Sequence, residues 1–286
     1  DSEKTIEFIK QETVFRDGCS HNKVSNRKIS AIVLVHVFGN AANLEELLPL
    51  CEERNIQVLE DAAESLGATI NNQKVGSISD SSIFSFCGNK VLTTGEGGAV
   101  VTNSKKVYEK IKLIRSHGRQ DNADYFENPT ESQYYEIGYN WRMSTMTAVL
   151  GLSQLKKLDK IIKMRQENAK FISNKLGKFE EITIPKTLDN ANHIYQMYTI
   201  RLSTNNIREK LHKFLLEKRI FSKVYFSPIH RSKLYEIAEI NNELKMTDLI
   251  SSQVLTLPMY PNMTDEEKIY IVDSIAEFFE NNSINE

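Results

Sequence analysis

One lysine stands where an amine can do chemistry. In Phe84-Ser85-Phe86-Cys87-Gly88-Asn89-Lys90-Val91-Leu92-Thr93-Thr94-Gly95-Glu96-Gly97-Gly98, a short apolar strand runs into a glycine cluster with Lys90 at the junction. Val91 and Leu92 follow it directly, which predicts a partly desolvated ammonium. Desolvation disfavours the charged form, and a neutral amine is a nucleophile. The plainer alternative is a strand-end lysine whose stem packs while its tip reaches water.

A second stretch, Ile56-Gln57-Val58-Leu59-Glu60-Asp61-Ala62-Ala63-Glu64-Ser65-Leu66-Gly67, reads as a buried strand ending in acid, then small residues and glycine. An acid at the carboxyl end of a parallel strand faces the crevice where ligands bind in open α/β sheets. A lysine and an aspartate at neighbouring strand ends are the two fixed points of a pyridoxal phosphate site. The lysine forms a Schiff base, and the aspartate pairs with the protonated pyridine nitrogen.

The stretch Glu60 to Gly67, the stretch Phe84 to Lys90 and Thr93-Thr94-Gly95-Glu96-Gly97-Gly98 together resemble the DegT/DnrJ/EryC1/StrS family of sugar aminotransferases, above all its perosamine-synthetase-like and legionaminic-pathway-like members. The likeness continues through Gly138-Tyr139-Asn140-Trp141-Arg142-Met143 to Tyr225-Phe226-Ser227-Pro228-Ile229-His230, so it covers nearly the whole chain.

The resemblance implies a fold-type I pyridoxal phosphate transferase. It has a mostly parallel α/β sheet flanked by helices, over residues 1–160, and a smaller α+β part, over 161–286. It implies that Lys90 holds the cofactor and then shuttles a proton, and that Asp61 meets the pyridinium. Glu64 lies near the ring hydroxyl, or is an exposed glutamate favoured by a helix dipole. Ser85 donates to the phosphate, or is an outward polar strand position. Asn140 reaches a partner subunit's phosphate across a homodimer interface. Arg142 holds an anion such as the glutamate carboxylate or the nucleotide phosphates, or forms a structural ion pair. Tyr225 and His230 fall where the smaller part approaches the sugar. The implied reaction moves the amino group of L-glutamate to a 4-keto-6-deoxy sugar on a nucleoside diphosphate, for cell-surface polysaccharide. Family members carry, before the point matching Asp1, a Gly-Thr phosphate cradle and an aromatic that stacks on the ring. The resemblance therefore sets an inert, regulatory or assembly role beside the enzymatic one. A dehydratase of the same family would carry histidine at Lys90. A nicotinamide dehydrogenase would need a G-x-G-x-x-G after a strand, and none is present.

The elements that must position these groups are legible in outline. Ser30 to Gly39 is a nearly continuous apolar run, expected as a central parallel strand buried on both faces. His36 near its end is either a hydrogen-bonded core histidine or faces the cofactor. Asn43 is a candidate cap for a helix from Leu44 to Arg54, with Pro49 forcing a kink or a late start. Strands are expected to end at Asp61 and Phe86, with Gly98 to Thr102 as another. Residues 68–80 read as irregular, Arg16 to Lys28 as loop, and 118–137 as a long polar loop. Asn103 or Ser104 caps a basic helix to Arg115. Ser144 opens a long helix to Leu176, with Gly177 as its stop. Its stripe of Met146, Val149, Leu150, Leu152, Leu155 and Leu158 is expected in core or dimer packing. Beyond it come strands at His193 to Leu202 and Ser222 to Phe226, and a helix from Asn205 or Asn206 to Lys218. Thr264 and Glu267 form a capping box.

The 286 residues are 40% hydrophobic and 26% charged, with net charge −2. This composition fits a packed core and offers no basic block for nucleic acid or anionic membrane. No apolar run is long enough to span a bilayer, and the start lacks a signal segment. Cys19, Cys51 and Cys87 are too scattered for a disulfide framework or a metal site, and a reducing cytoplasm is the expected compartment.

Overall fold

Four strands carry the motifs. In the computed structural model, which describes residues 1–120, 133–235 and 244–283, the chain runs α1 (Ser2–Glu12), β1 (Thr13–Arg16), β2 (Cys19–Asn22), β3 (Lys28–Ile29), β4 (Ala31–Val35), α2 (Leu47–Glu53), β5 (Gln57–Asp61), β6 (Thr69–Ile70), β7 (Gln73–Lys74), β8 (Ser81–Ser85), β9 (Gly98–Thr102), α3 (Lys105–Arg115), α4 (Thr145–Leu155), α5 (Leu158–Leu176), β10 (Ile182–Thr183), β11 (Ala191–Asn192), β12 (Tyr198–Leu202), α6 (Asn205–Glu217), α7 (Lys245–Gln253), β13 (Val254–Leu257) and α8 (Asp265–Ser283). Asp1–Asp159 with Asp189–His193 form one unit, and Lys160–Leu188 with Ile194–Glu286 a second.

The first unit holds a sheet of order β4-β5-β8-β9, parallel except for β9. This is the mixed α/β, mostly parallel architecture expected. Ile32, Leu34 and Val58 turn inward onto α1 and α2, packing on Ile9, Leu47, Leu50 and Cys51. Alternate residues point the other way. Val33, Val35, Ile83 and Val100 on that face are 64%, 49%, 43% and 47% exposed. The expectation for Ser30 to Gly39 is thus corrected. Its regular part is a strand at the edge of the described sheet, with one face covered, and Val37–Gly39 turn away as a 3-10 turn. An unbroken apolar run does not reveal which neighbours are there to bury it.

Helix α2 starts late, at Leu47, so Pro49 falls in the first turn, where its missing N–H costs no helical bond. Asn43 caps nothing in α2; its Oδ1 accepts from Glu45 N–H. Two hairpins stand where irregular chain was expected. β1 and β2 join through Asp17 and Gly18, and β6 and β7 through Asn71 and Asn72, all four with positive φ. Asparagine, aspartate and glycine tolerate that conformation, which tight hairpins require. Ser104 caps α3 and Ser144 caps α4, as anticipated. The long helix to Leu176 is instead two, α4 and α5, separated at Lys156 and Lys157. Most of the expected 118–137 loop, with Asp121, Asn122, Asn128 and Pro129, lies outside the described residues.

In the second unit, antiparallel strands in the order β10-β12-β13 pack with α5, α6 and α8 around Ile172, Tyr198, Ile200, Leu211, Leu255 and Ile275. β12 begins at Tyr198, later than His193, and Thr204 caps α6 in place of Asn205 or Asn206. Ser222 to Phe226 is not a strand; only Lys223 pairs, as a single bridge to Thr256. The Thr264–Glu267 capping box forms in both directions. Buried Arg165 donates to the carbonyls of Tyr195, Gln196 and Met259, and burial lowers its pKa to about 10.

Candidate active site

Asp61 ends β5, and its register neighbours are Val35 on β4 and Ile83 on β8. Register neighbours share a face, and Ser85, two residues past Ile83, returns to it. Asp61 and Ser85 therefore belong to the less covered face of the sheet. The Asp61 Oδ1 accepts from Ala63 N–H at 3.1 Å, which turns the chain back at the strand end. No helix follows Asp61; residues 62–68 are irregular, with turns at 63–64 and 66–67. The Ser85 Oγ accepts from Cys87 N–H at 3.3 Å.

The loop after β8 is pinned by backbone bonds. Phe86 N–H donates to Gly97 O, Thr94 N–H to Phe86 O, and Lys90 N–H to Cys87 O. Gly97 has φ +133, and a Cβ on Gly98 would lie 2.6 Å from the Phe84 carbonyl oxygen, so both need glycine. Val91 and Leu92 are buried, and the Lys90 side chain is 15% exposed. Its Nζ lies 3.4 Å from Glu64 Oε1. The other Glu64 oxygen accepts from Phe38 N–H at 2.9 Å. Glu64 is thus an enclosed carboxylate, not a solvated one.

Beneath this face sits a pair that the strand periodicity did not single out as a site. Glu60, next to Asp61, points the opposite way and is 1% exposed; His36 is fully buried. His36 Nε2 meets Glu60 Oε2 at 3.0 Å, which settles His36 as a hydrogen-bonded core histidine. Burial pushes the Glu60 carboxyl up, but the bonds from His36, the Gly76 and Ser79 amides and the Ser79 hydroxyl outweigh it and bring its pKa down to about 2. A cavity of about 530 Å³ lined by Phe84, Val101, Leu155 and Leu158 contains none of the anticipated site residues.

Asn140 forms an isolated bridge to Ser116, while Tyr139 and Trp141 N–H donate to the Ile114 and Arg115 carbonyls. Arg142 Nε donates to Asn140 Oδ1 at 3.4 Å, and both residues are exposed. Tyr139 and Trp141 flank Asn140 with their rings stacked at 4.1 Å. In the second unit, His230 Nε2 meets Asp248 Oδ1 at 3.0 Å, and Asp248 also accepts from Arg231. The Tyr225 ring packs against Phe226 and under the Lys223 ammonium. Among the described residues, no group of three or more His, Cys, Asp or Glu could hold a metal, and no helix is long and apolar enough to cross a membrane.

Comparison with known proteins covers both units. The DegT/DnrJ/EryC1/StrS aminotransferase family matches residues 10–276. GDP-perosamine synthase of Escherichia coli O157:H7 is 33% identical over 257 residues, covering 90% of this chain and 67% of that protein. The UDP-4-amino-4,6-dideoxy-N-acetyl-beta-L-altrosamine transaminase of Helicobacter pylori is 33% identical over 273 residues, covering 92% and 70%. Among solved structures, Helicobacter pylori PseC, an aminotransferase involved in the biosynthesis of pseudoaminic acid, superposes with a TM-score of 0.82 at 30% identity, over 88% of this chain and 67% of that one.

Proposed function

Because the chain belongs to the DegT/DnrJ/EryC1/StrS aminotransferase family, we propose that it transfers the amino group of L-glutamate to a nucleotide-linked 4-keto-6-deoxy sugar, releasing 2-oxoglutarate and an amino sugar. The observation that carries this reading is the enclosed lysine at a strand end: Lys90, next to buried Val91 and Leu92, with the Glu64 carboxylate at 3.4 Å. The donor set fits pyridoxal phosphate: one amine, carboxylates at 61 and 64, and a serine hydroxyl at 85 share one end of the sheet. When bound, pyridoxal phosphate supplies an aldehyde for an amine and a ring that withdraws electrons from the carbon carrying the nitrogen.

Lys90 Nζ would be the amine that holds the cofactor, and when free it would carry a proton to and from the substrate carbon. Asp61 would hold a proton on the pyridine nitrogen, Glu64 would stand toward the ring hydroxyl, and Ser85 would donate to the phosphate. Cofactor binding thus belongs to the first unit. Asn140 reaches the phosphate of a second copy, and Arg142 beside it holds an anionic group of the substrate. Tyr225 and His230 orient the sugar. The homodimer this needs is supported by α4, where Met146, Val149, Leu150, Leu152 and Leu155 are exposed in the single chain. Three free cysteines fit a reducing cytoplasm.

The test is mass spectrometry of products formed from UDP-, GDP- and dTDP-linked keto sugars with L-glutamate and pyridoxal phosphate. One sugar of the panel should exchange its keto oxygen for an amino group. Folded protein that aminates none of them would count against this reading.

A further inference from the structure

We infer that Glu60 is a positioning residue of this site, acting on Lys90 through a hydrogen-bonded chain of His36, the 36–42 turn, the Phe38 N–H and Glu64. The inference rests on the reading of Lys90 as the amine that captures an aldehyde.

A strand turns neighbouring residues to opposite faces. Asp61 goes to the site face and Glu60 to the buried one. The Glu60 carboxylate accepts from five donors: His36 Nε2 and Gly76 N–H on Oε2, and Ile78 N–H, Ser79 N–H and Ser79 Oγ on Oε1. His36 Nδ1 accepts from Ala42 N–H at 3.0 Å, so the ring proton sits on Nε2 and is donated to Glu60. One imidazole thereby spans both ends of the 36–42 turn, whose first N–H also donates to the Asp61 carbonyl.

Inside that turn Phe38 has φ 60 and ψ 12. A left-handed non-glycine residue is strained and persists where its surroundings over-determine it. In that conformation its N–H reaches Glu64 Oε2, and Glu64 Oε1 reaches Lys90. Hydrogen bonds, joined through the backbone from Phe38 to Ala42, thus connect a buried carboxylate to the Lys90 amine.

A neutral isostere cannot replace Glu60. The NH2 of a glutamine placed at Oε2 would face two donors, His36 Nε2–H and Gly76 N–H. Placed at Oε1, it would face the Ile78 and Ser79 amides. Moving the ring proton to Nδ1 relieves His36 at Glu60 but sets it against the Ala42 N–H. With the NH2 at Oε2 the break falls at His36, on the path to Lys90; with it at Oε1 the break falls at Ile78 and Ser79, the amides that hold the carboxylate in place for His36.

Glu60→Gln tests this. NMR of the cofactor-free variant should show the His36 ring nitrogens and the Phe38 amide displaced. Its rate of visible-band formation with added pyridoxal phosphate should fall roughly ten- to a hundredfold. Val58→Ala, on the same strand and in the core, should lower stability and leave both readouts as in wild type. Glu60→Gln that is destabilised while the Phe38 amide and His36 nitrogens stay put would overturn the inference and make Glu60 merely structural. If wild type captures no aldehyde, the proposed function fails, yet the NMR readout still decides the positioning. If the variant does not fold, amide exchange in wild type decides. Phe38, Ile78 and Ser79 should exchange together on global opening, and Phe38 exchanging well ahead of the others contradicts the chain.

Discussion

Glu64 Oε1 lies 3.4 Å from Lys90 Nζ while Glu64 Oε2 holds the Phe38 N–H at 2.9 Å. One carboxylate thus links Lys90 to a strained backbone turn. Glu64→Ala leaves the Phe38 N–H without this acceptor, at a cost of about 1–3 kcal/mol. Glu64→Gln retains an oxygen for Phe38 and should cost clearly less. Urea unfolding of the two variants in the cofactor-free state checks the order. Equal losses would mean the Phe38 bond contributes nothing.

Two buried groups set the acid sensitivity of the first unit. Burial lowers the pKa of His193 from 6.5 to about 4, against the opposing pull of the Gly39 backbone. The folded form binds its proton late, so this stability is present above 6.5 and lost as pH falls toward 4. Glu60 drops from 4.5 to about 2, so its contribution is present above 4.5 and lost as pH falls toward 2. Each displacement is worth about 3 kcal/mol. The unfolding midpoint of wild type should therefore decline in two successive windows. His193→Gln should lack the upper one and Glu60→Gln the lower one. Parallel pH profiles for wild type and His193→Gln would refute the assignment.

The exposed stripe on α4 bears on assembly. Met146, Val149 and Leu152 are 83%, 59% and 61% exposed and lie on one face of the helix. Val149→Glu or Leu152→Glu places a charge in the contact proposed between two copies. Sedimentation should move from dimer to monomer while circular dichroism stays unchanged. A dimer that tolerates both substitutions would put the contact elsewhere.

What could be read from residues alone was what local chemistry decides. The ends of β5 and β8 follow from apolar runs stopping at an acid and at glycine. The Ser104 and Ser144 caps and the Thr264–Glu267 box follow from side chains that bond their own backbone. Tertiary context hid the rest. The β6–β7 hairpin joins two-residue strands, too short for an alternating pattern to show. The break between α4 and α5 falls at two lysines, good helix formers that carry no stop signal. The exposed face of β4 reads like a buried one because valine suits both. Glu60 drew no attention because its neighbour Asp61 carries the motif. Its coupling to His36 spans 24 residues and exists only once β4 and β5 pair in register.

The proposed function stands on Lys90 as the amine that takes up the cofactor aldehyde. The most direct measurement is borohydride trapping of protein incubated with pyridoxal phosphate, followed by peptide mapping. The pyridoxyl label should fall on the peptide carrying Lys90, and Lys90→Ala should lose both the label and the visible absorbance. A label spread over surface lysines, or one that survives Lys90→Ala, would contradict the account.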